Sequence, residues 1–127
     1  MSVEVTPDDL PGAIASCAVV YLLTTSEDRS RPHVGAVAAT VVDGIVRVVG
    51  VGRTARRDLD AHDAVTLLGA PAAAGGYSLI VDGVGAVVGD QVEVTVRRAV
   101  LHRPAPSPEP SADGCSSDCV ELSDTGG

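Results

Sequence analysis

The feature that most constrains the fold is a pair of valine-rich segments joined by the dipeptide Asp43-Gly44. The segments run from His33 to Val42 and from Ile45 to Val51. Valine and isoleucine are branched at Cβ and favour strands, and Asp-Gly between two apolar runs is a strong signal for a two-residue hairpin turn. The sequence therefore predicts an antiparallel pair of strands at the centre of the chain.

Four further segments have strand character and are bounded by turn signals. They are Ser16 to Thr25, Ala64 to Leu68, Tyr77 to Val88 with a bend or bulge at Asp82-Gly83, and Val92 to Leu101. A helix of one or two turns is predicted to start at Thr6-Pro7, and a longer helix from Arg53 to His62, with Ala55, Leu59 and His62 facing the core. Since closure removes exposed strand edges, the predicted fold class is mainly β, a six-stranded antiparallel barrel with a short N-terminal helix and one mid-chain helix.

Composition sets the domain limits and the character of the core. The chain has 127 residues, no Phe or Trp and two Tyr, so one domain with an aliphatic core is expected. From Pro104 onward the sequence is rich in Pro, Ser and acidic residues and contains no Arg. We therefore predict a barrel domain over residues 1–103 and an extended, mobile tail over 104–127. No metal site is predicted at Cys115 and Cys119, because zinc requires further ligands.

The net charge of −8 argues against general nucleic-acid binding, which needs a basic surface. No apolar stretch approaches the ~20 residues that cross a bilayer, and no secretory signal is evident, so a soluble cytoplasmic protein is expected. Catalytic motifs are also missing: there is no Gly-x-Ser-x-Gly elbow, no P-loop, since Lys is absent, and no recognisable carboxylate pair. Cys17, at the start of a strand, is predicted to be a buried, inert thiol.

An anion site is predicted where the third strand meets the long helix. The strand ends at Gly50 and Gly52, and the first helical turns carry Arg53, Thr54, Arg56 and Arg57. Cations are unfavourable at a helix N-terminus unless an anion is present, whereas N–H groups, a hydroxyl and guanidinium groups together suit a phosphate. A solvated helix with Arg56–Asp60 and Arg57–Asp60 pairs explains the pattern equally well, and this reasoning leaves both interpretations open.

The order of several short motifs adds a family resemblance. The segment YLLTTSEDRSRPHVGAV is followed by the Asp-Gly hairpin and then by VVGVGRTARRDL, AVTLL and GGYSLIVDG. From Asp9 to Pro104 this order and spacing resembles the pyridoxamine 5′-phosphate oxidase-like family, or flavin-binding split-barrel proteins, and in particular its small actinobacterial members. The resemblance implies a six-stranded split barrel that forms a homodimer and holds FMN, or alternatively a deazaflavin coenzyme, in a groove between subunits.

The resemblance also implies which residues meet the coenzyme. The phosphate would contact Arg53, Thr54 and either Arg56 or Arg57. The residues beside the ring system would be His33, Val34, Gly35 and Ala36 with Gly50, Val51 and Gly52, and Tyr77 would line the pocket. The Arg-Lys pair of the oxidase itself is replaced here by Arg56-Arg57, and its C-terminal substrate-binding residues have no counterpart, so vitamin B6 oxidation is not expected.

The function that the resemblance implies is an oxidoreductase that uses FMN or a deazaflavin to transfer a hydride to or from a small organic substrate. Such chemistry resides in the coenzyme, so the lack of a catalytic triad does not oppose it. The alternative is a split-barrel protein that binds a small molecule, haem or a coenzyme without turnover. The aromatic content of 2% favours this alternative, because few rings are available to stack on a flavin. The preferred coenzyme and the substrate stay open.

Overall fold

The computed structural model describes residues 2–104 of the chain. Most of the predicted tail, with Cys115 and Cys119, lies outside the described residues, and the boundary at residue 104 stays a prediction. The described residues form the elements β1 (Ser2–Glu4), α1 (Leu10–Ala15), β2 (Cys17–Thr25), β3 (Pro32–Val42), β4 (Ile45–Val49), α2 (Arg53–Ala61), β5 (Ala64–Pro71), β6 (Ser78–Val88) and β7 (Gln91–His102).

Six strands form a closed antiparallel barrel in the order β7-β4-β3-β2-β5-β6, and β6 pairs with β7 to complete the ring. β4 pairs with β7 only as far as Thr95, and the short β1 pairs with the last residues of β7, from Val100 to His102. The predicted six-stranded antiparallel barrel is therefore confirmed. β1 was not predicted, because its three residues gain strand structure only from their long-range partner β7.

Local turn chemistry sets the register at two places. Asp43 and Gly44 have φ angles of 51° and 80°, as a two-residue hairpin turn between right-handed twisted strands requires. The register of β6 against β7 shifts between Asp82 and Gly83, which makes the predicted bend or bulge a β-bulge within one continuous strand. At Gly83 a Cβ atom would collide with the main-chain oxygen of Thr95, so the bulge requires glycine at this position.

Gly83→Ala is expected to lower the free energy of unfolding by about 1–3 kcal/mol, the usual cost of forcing an extra carbon into a packed site. Urea unfolding followed by circular dichroism measures the change. Gly12→Ala is the matched control, because a Cβ at Gly12 would have nothing within 4 Å. Equal effects of the two substitutions would contradict the packing argument.

The core is aliphatic, as the composition predicted. Alternate residues of the barrel strands point inward and are almost completely buried: Leu22, Val46, Val48, Leu67, Leu79, Val81, Val92 and Val94. β2 lies between β3 and β5, as expected for a strand with apolar residues on both faces. α1 leads into the start of β2 and α2 contacts its end through Thr24, so the two helices cover opposite ends of the barrel.

Both helices differ in part from their predicted forms. α1 begins at Leu10 rather than at Thr6-Pro7, because Pro11 occupies the first turn, where no N–H donor is required, and so starts the helix instead of stopping it. α2 buries Ala55 and Leu59 as predicted. The expectation that His62 faces the core is wrong: His62 is the C-cap of α2, and its ring nitrogen lies 2.8 Å from the main-chain oxygen of Glu27.

Candidate functional site

The turn from β4 into α2 leaves the beginning of the helix open to a ligand. Gly50 has a φ angle of +83°, which favours glycine, and Gly52 is the N-cap in an extended conformation. Glycine has no side chain that could accept a hydrogen bond from the first-turn N–H groups, and no acidic residue lies in that turn. An anion would therefore meet both the helix dipole and N–H donors at this point.

A cleft of about 590 Å³ lies between α2 and the loop that joins β2 to β3. Thr54 and Arg57 of α2 line one wall, and Arg31 and His33 line the other. The folded chain thus brings together three of the residues predicted from sequence, His33, Thr54 and Arg57, and adds Arg31 from the loop. Guanidinium groups and a hydroxyl around one space form a donor set that suits a phosphate.

Two of the three acidic side chains that line the cleft, those of Asp28 and Asp58, accept hydrogen bonds from neighbouring donors, and the third is Glu27. The Asp28 carboxylate accepts hydrogen bonds from the Ser26 hydroxyl at 3.0 Å and from the Ser30 N–H at 2.9 Å. The buried Asp58 carboxylate accepts one from the Thr24 hydroxyl at 2.8 Å. The salt bridge between Arg47 and Glu93 joins β4 to β7, and neither of these residues lines the cleft. The guanidinium groups of Arg31 and Arg57 are therefore not engaged in ion pairs within the described residues.

The pKa of Asp28 is expected to lie well below that of an ordinary aspartate. Interactions with the side chain and N–H of Ser30, and then with the Ser26 hydroxyl, lower the pKa of Asp28 from 3.8 to about 2. Since the folded-state pKa is depressed, these interactions stabilise the fold above about pH 4. Their contribution is lost as pH falls through about 2. A carboxyl-carbon NMR titration measures the midpoint; an unshifted Asp28 or an unaltered midpoint in Ser30→Ala would contradict this assignment.

Arg53, Arg56 and Tyr77 are not part of this cleft. The Arg56 guanidinium donates a hydrogen bond of 2.9 Å to the main-chain oxygen of Asp90, in the turn between β6 and β7. Arg53 is exposed at the first position of α2. Tyr77 lies just before β6, where its ring centroid is 4.6 Å from the Arg103 guanidinium carbon. Neither Arg56 nor Arg57 pairs with Asp60 within the described residues, so the arginine–aspartate alternative for this helix is not supported.

The residues predicted to lie beside the ring system are divided between two surfaces. In β3, positions 33 and 35 (His33 and Gly35) face the inner side, and Val34 and Ala36 are exposed on the outer side, because a strand alternates with period two. Val51 is buried in the core. Of the β3 residues predicted to lie beside the ring system, only His33 lines the cleft.

Seven of the ten residues that line the cleft were not predicted from the sequence, among them Asp58 and Arg31. Asp58 lies three residues after Ala55 and next to Leu59, so its place on the buried stripe of α2 could have been noticed from helical spacing. Arg31 precedes the start of β3 by one residue and carried no signal of its own. Its position depends on the conformation of the loop before it.

Other kinds of site were also sought in residues 2–104. No three His, Cys, Asp or Glu side chains in this part of the chain come together as a metal site requires. Neither helix in the described residues is long and apolar enough to span a membrane. Cys17 is half-buried, donates a hydrogen bond of 3.3 Å to the Ala13 oxygen, and has its thiol pKa raised by burial, all of which oppose reactivity.

Comparison with proteins of known structure supports the fold. The FAD binding protein from Mycobacterium smegmatis aligns with a TM-score of 0.58 and 17% identity, over 80% of this chain and 97% of that one. A structure described as an F420 reductase aligns with a TM-score of 0.49 and 16% identity, over 63% of this chain and 85% of that one. The first of these supports a common fold, and the second is too dissimilar in structure to support an argument.

Comparison of sequences identifies relatives along almost the whole chain. No protein-family model matches this chain. It is 38% identical, in an alignment of 133 positions, to Mb0449c of Mycobacterium bovis and to MT0457 of Mycobacterium tuberculosis, both described as uncharacterized proteins. The alignment covers 90% of this chain and 92% of each of those proteins. The chain, a closed antiparallel barrel of the split-barrel type, therefore belongs to the same family as the mycobacterial proteins Mb0449c and MT0457.

Proposed function

We propose that this protein binds a flavin or deazaflavin coenzyme, with FMN as the first candidate. The coenzyme phosphate would lie in the cleft between α2 and the β2–β3 loop. The observation that carries the proposal is the convergence of Arg31, His33, Thr54 and Arg57 on one cleft. A phosphate would receive hydrogen bonds from guanidinium groups, a hydroxyl and N–H donors at the start of α2. The fold shared with an FAD binding protein supports a flavin as the molecule that carries the phosphate.

The residues present suit binding and orientation rather than acid–base catalysis. A bound flavin or deazaflavin supplies the hydride transfer itself. Arg57 and Thr54 would fix the phosphate end of the coenzyme. The activity we propose is therefore oxidation or reduction of a small organic substrate by the coenzyme.

The experiment is direct. The purified protein is examined for a yellow chromophore by absorbance and mass spectrometry, and is then titrated with FMN, riboflavin and a deazaflavin coenzyme. We expect binding of a phosphorylated coenzyme at micromolar concentration and much weaker binding of riboflavin, which lacks the phosphate. Failure of every coenzyme to bind would contradict the proposal. If a coenzyme binds tightly but no small-molecule electron acceptor or donor is turned over, the proposal of coenzyme binding is retained and the proposal of oxidoreductase activity is rejected.

We further propose that two copies of the chain associate through the outer side of β3 and β4. Large apolar side chains are exposed there: Val34 is 52% and Val49 is 42% accessible. Alanines at positions 36 and 38 lie on the same side and leave it flat. An exposed apolar patch of this kind marks an interaction site in a soluble protein. A second copy placed here would cover the apolar patch and complete a groove next to the start of α2.

Val34→Arg is expected to convert the dimer to a monomer, because an unpaired guanidinium would be buried in the contact. Sedimentation equilibrium measures the dissociation constant of the wild type and the variant. Val87→Arg is the matched control, since Val87 is also an exposed valine, with 39% accessibility, but lies near the β6–β7 turn. A monomeric wild type, or equal effects of the two substitutions, would contradict association through this surface.

A further inference from the structure

The loop between β2 and β3, residues 26–31, forms the second wall of the anion cleft. We propose that Arg31 binds the same anionic group as Arg57 and gives the site its preference for a phosphorylated flavin over riboflavin, and that Asp28 is a positioning residue that holds the loop in the required conformation. This inference rests on the proposed function and assigns a second set of residues to the same site. Arg31 and Arg57 come from different elements and line one cleft.

The loop is closed by hydrogen bonds among its own residues. The N–H of Ser26 donates to the Arg31 oxygen at 3.1 Å, and the N–H of Arg31 donates to the Ser26 hydroxyl oxygen at 3.2 Å. The N–H of Arg29 donates to the Ser26 oxygen at 2.9 Å. Arg31 is therefore attached through its main chain to the end of β2, and the direction of its side chain is set by the loop.

Asp28 lies at the centre of this arrangement. One oxygen of its carboxylate, Oδ1, accepts hydrogen bonds from both Ser26 and Ser30, on the two sides of the loop. These contacts accompany a left-handed conformation at Arg29, whose φ angle is 62°. Such a conformation is unfavourable for arginine and persists only when neighbouring contacts hold it, so loss of the Asp28 carboxylate would allow the loop to relax.

The loop is also joined to the helix that forms the opposite wall. The ring Nε2 of His62, at the end of α2, lies 2.8 Å from the main-chain oxygen of Glu27. The Asp28 carboxylate faces its serine donors, and in residues 2–104 it has no ion pair within 4.0 Å that would neutralise Arg31. The two walls thus form one unit in which two guanidinium groups remain available to one anion.

The test compares dissociation constants for FMN and riboflavin, measured by quenching of flavin fluorescence at low and high salt. Arg31→Gln is expected to weaken FMN about 10- to 100-fold, the loss typical of one charged hydrogen bond, and to leave riboflavin unchanged. The salt dependence of FMN binding should fall at the same time, because one charge has been removed. Arg98→Gln is the control, since Arg98 is an exposed arginine of β7 that does not line the cleft.

The role of Asp28 is tested with Asp28→Ala and Asp28→Asn. Asp28→Ala removes the hydrogen-bond acceptor and should weaken FMN binding several-fold without changing riboflavin binding. Asp28→Asn keeps Oδ1 as an acceptor and should recover most of the affinity for FMN. Equal losses for FMN and riboflavin in Asp28→Ala would reveal general damage and reject the positioning role. If Arg31→Gln binds FMN as tightly as the wild type while Arg57→Gln binds it more weakly, the role of Arg31 is rejected and the proposed coenzyme site is retained. A wild-type protein that binds neither FMN nor a deazaflavin would reject the proposed function together with this inference.

Discussion

Arg57→Gln is expected to weaken FMN binding by about 1.5–3 kcal/mol, which is 10-fold or more in the dissociation constant, while Arg56→Gln leaves it within twofold. The two arginines are adjacent in sequence, but helical geometry directs them to different places. Arg57 lines the cleft, and Arg56 donates a hydrogen bond to the Asp90 oxygen in the β6–β7 turn. The sequence left open whether Arg56 or Arg57 contacts the phosphate, and we expect that it is Arg57.

Isothermal titration with FMN and riboflavin measures this difference, and the pair of substitutions controls for the loss of one charge. Riboflavin affinity should be the same in the wild type and both variants, because the contact that is lost is to the phosphate. An effect of Arg56→Gln equal to or larger than that of Arg57→Gln would place the phosphate on the other side of α2. Removal of Arg56 should also cost little stability, since its guanidinium bonds to an exposed main-chain oxygen.

The barrel could be predicted because its signals are local. Asp43-Gly44 takes the two positive φ angles that its residue types favour, and Gly83 marks a bulge where no Cβ fits. Valine-rich segments of strand length between such turns leave few alternatives to antiparallel pairing. The same reasoning placed α2 within one residue of its end, because its apolar spacing and the glycines before it act over one or two turns.

The site could be predicted only in part, because its geometry depends on contacts between distant segments. The positive charges at the start of α2 indicated an anion, but the wall that carries Arg31 is set by hydrogen bonds within a loop that composition marks only as polar. Strand alternation separates Val34 from Gly35, although a resemblance by segment treats them alike. β1 and the burial of Asp58 likewise depend on partners found far along the chain, β7 and Thr24.

Thr24→Val is expected to lower the free energy of unfolding by about 3 kcal/mol. The Thr24 side chain is 1% accessible and Asp58 is 5% accessible, and their hydrogen bond of 2.8 Å joins β2 to α2. Valine has almost the same shape as threonine, so the packing is preserved while the buried carboxylate loses its donor. A buried carboxyl group without a hydrogen-bond partner costs more free energy than the hydrogen bond contributes when it is formed.

Urea unfolding measures the effect, with Thr95→Val as the control, since Thr95 is exposed on β7 and its substitution should change stability by less than about 0.5 kcal/mol. An equal effect of the two substitutions would mean that water in the cleft satisfies Asp58. The same pair also bears on the site, because Asp58 follows Arg57 directly in α2. If Thr24→Val weakens FMN binding more than riboflavin binding in the folded protein, this buried hydrogen bond also sets the position of Arg57. If the affinities for both ligands equal those of the wild type, the hydrogen bond serves only to anchor the helix.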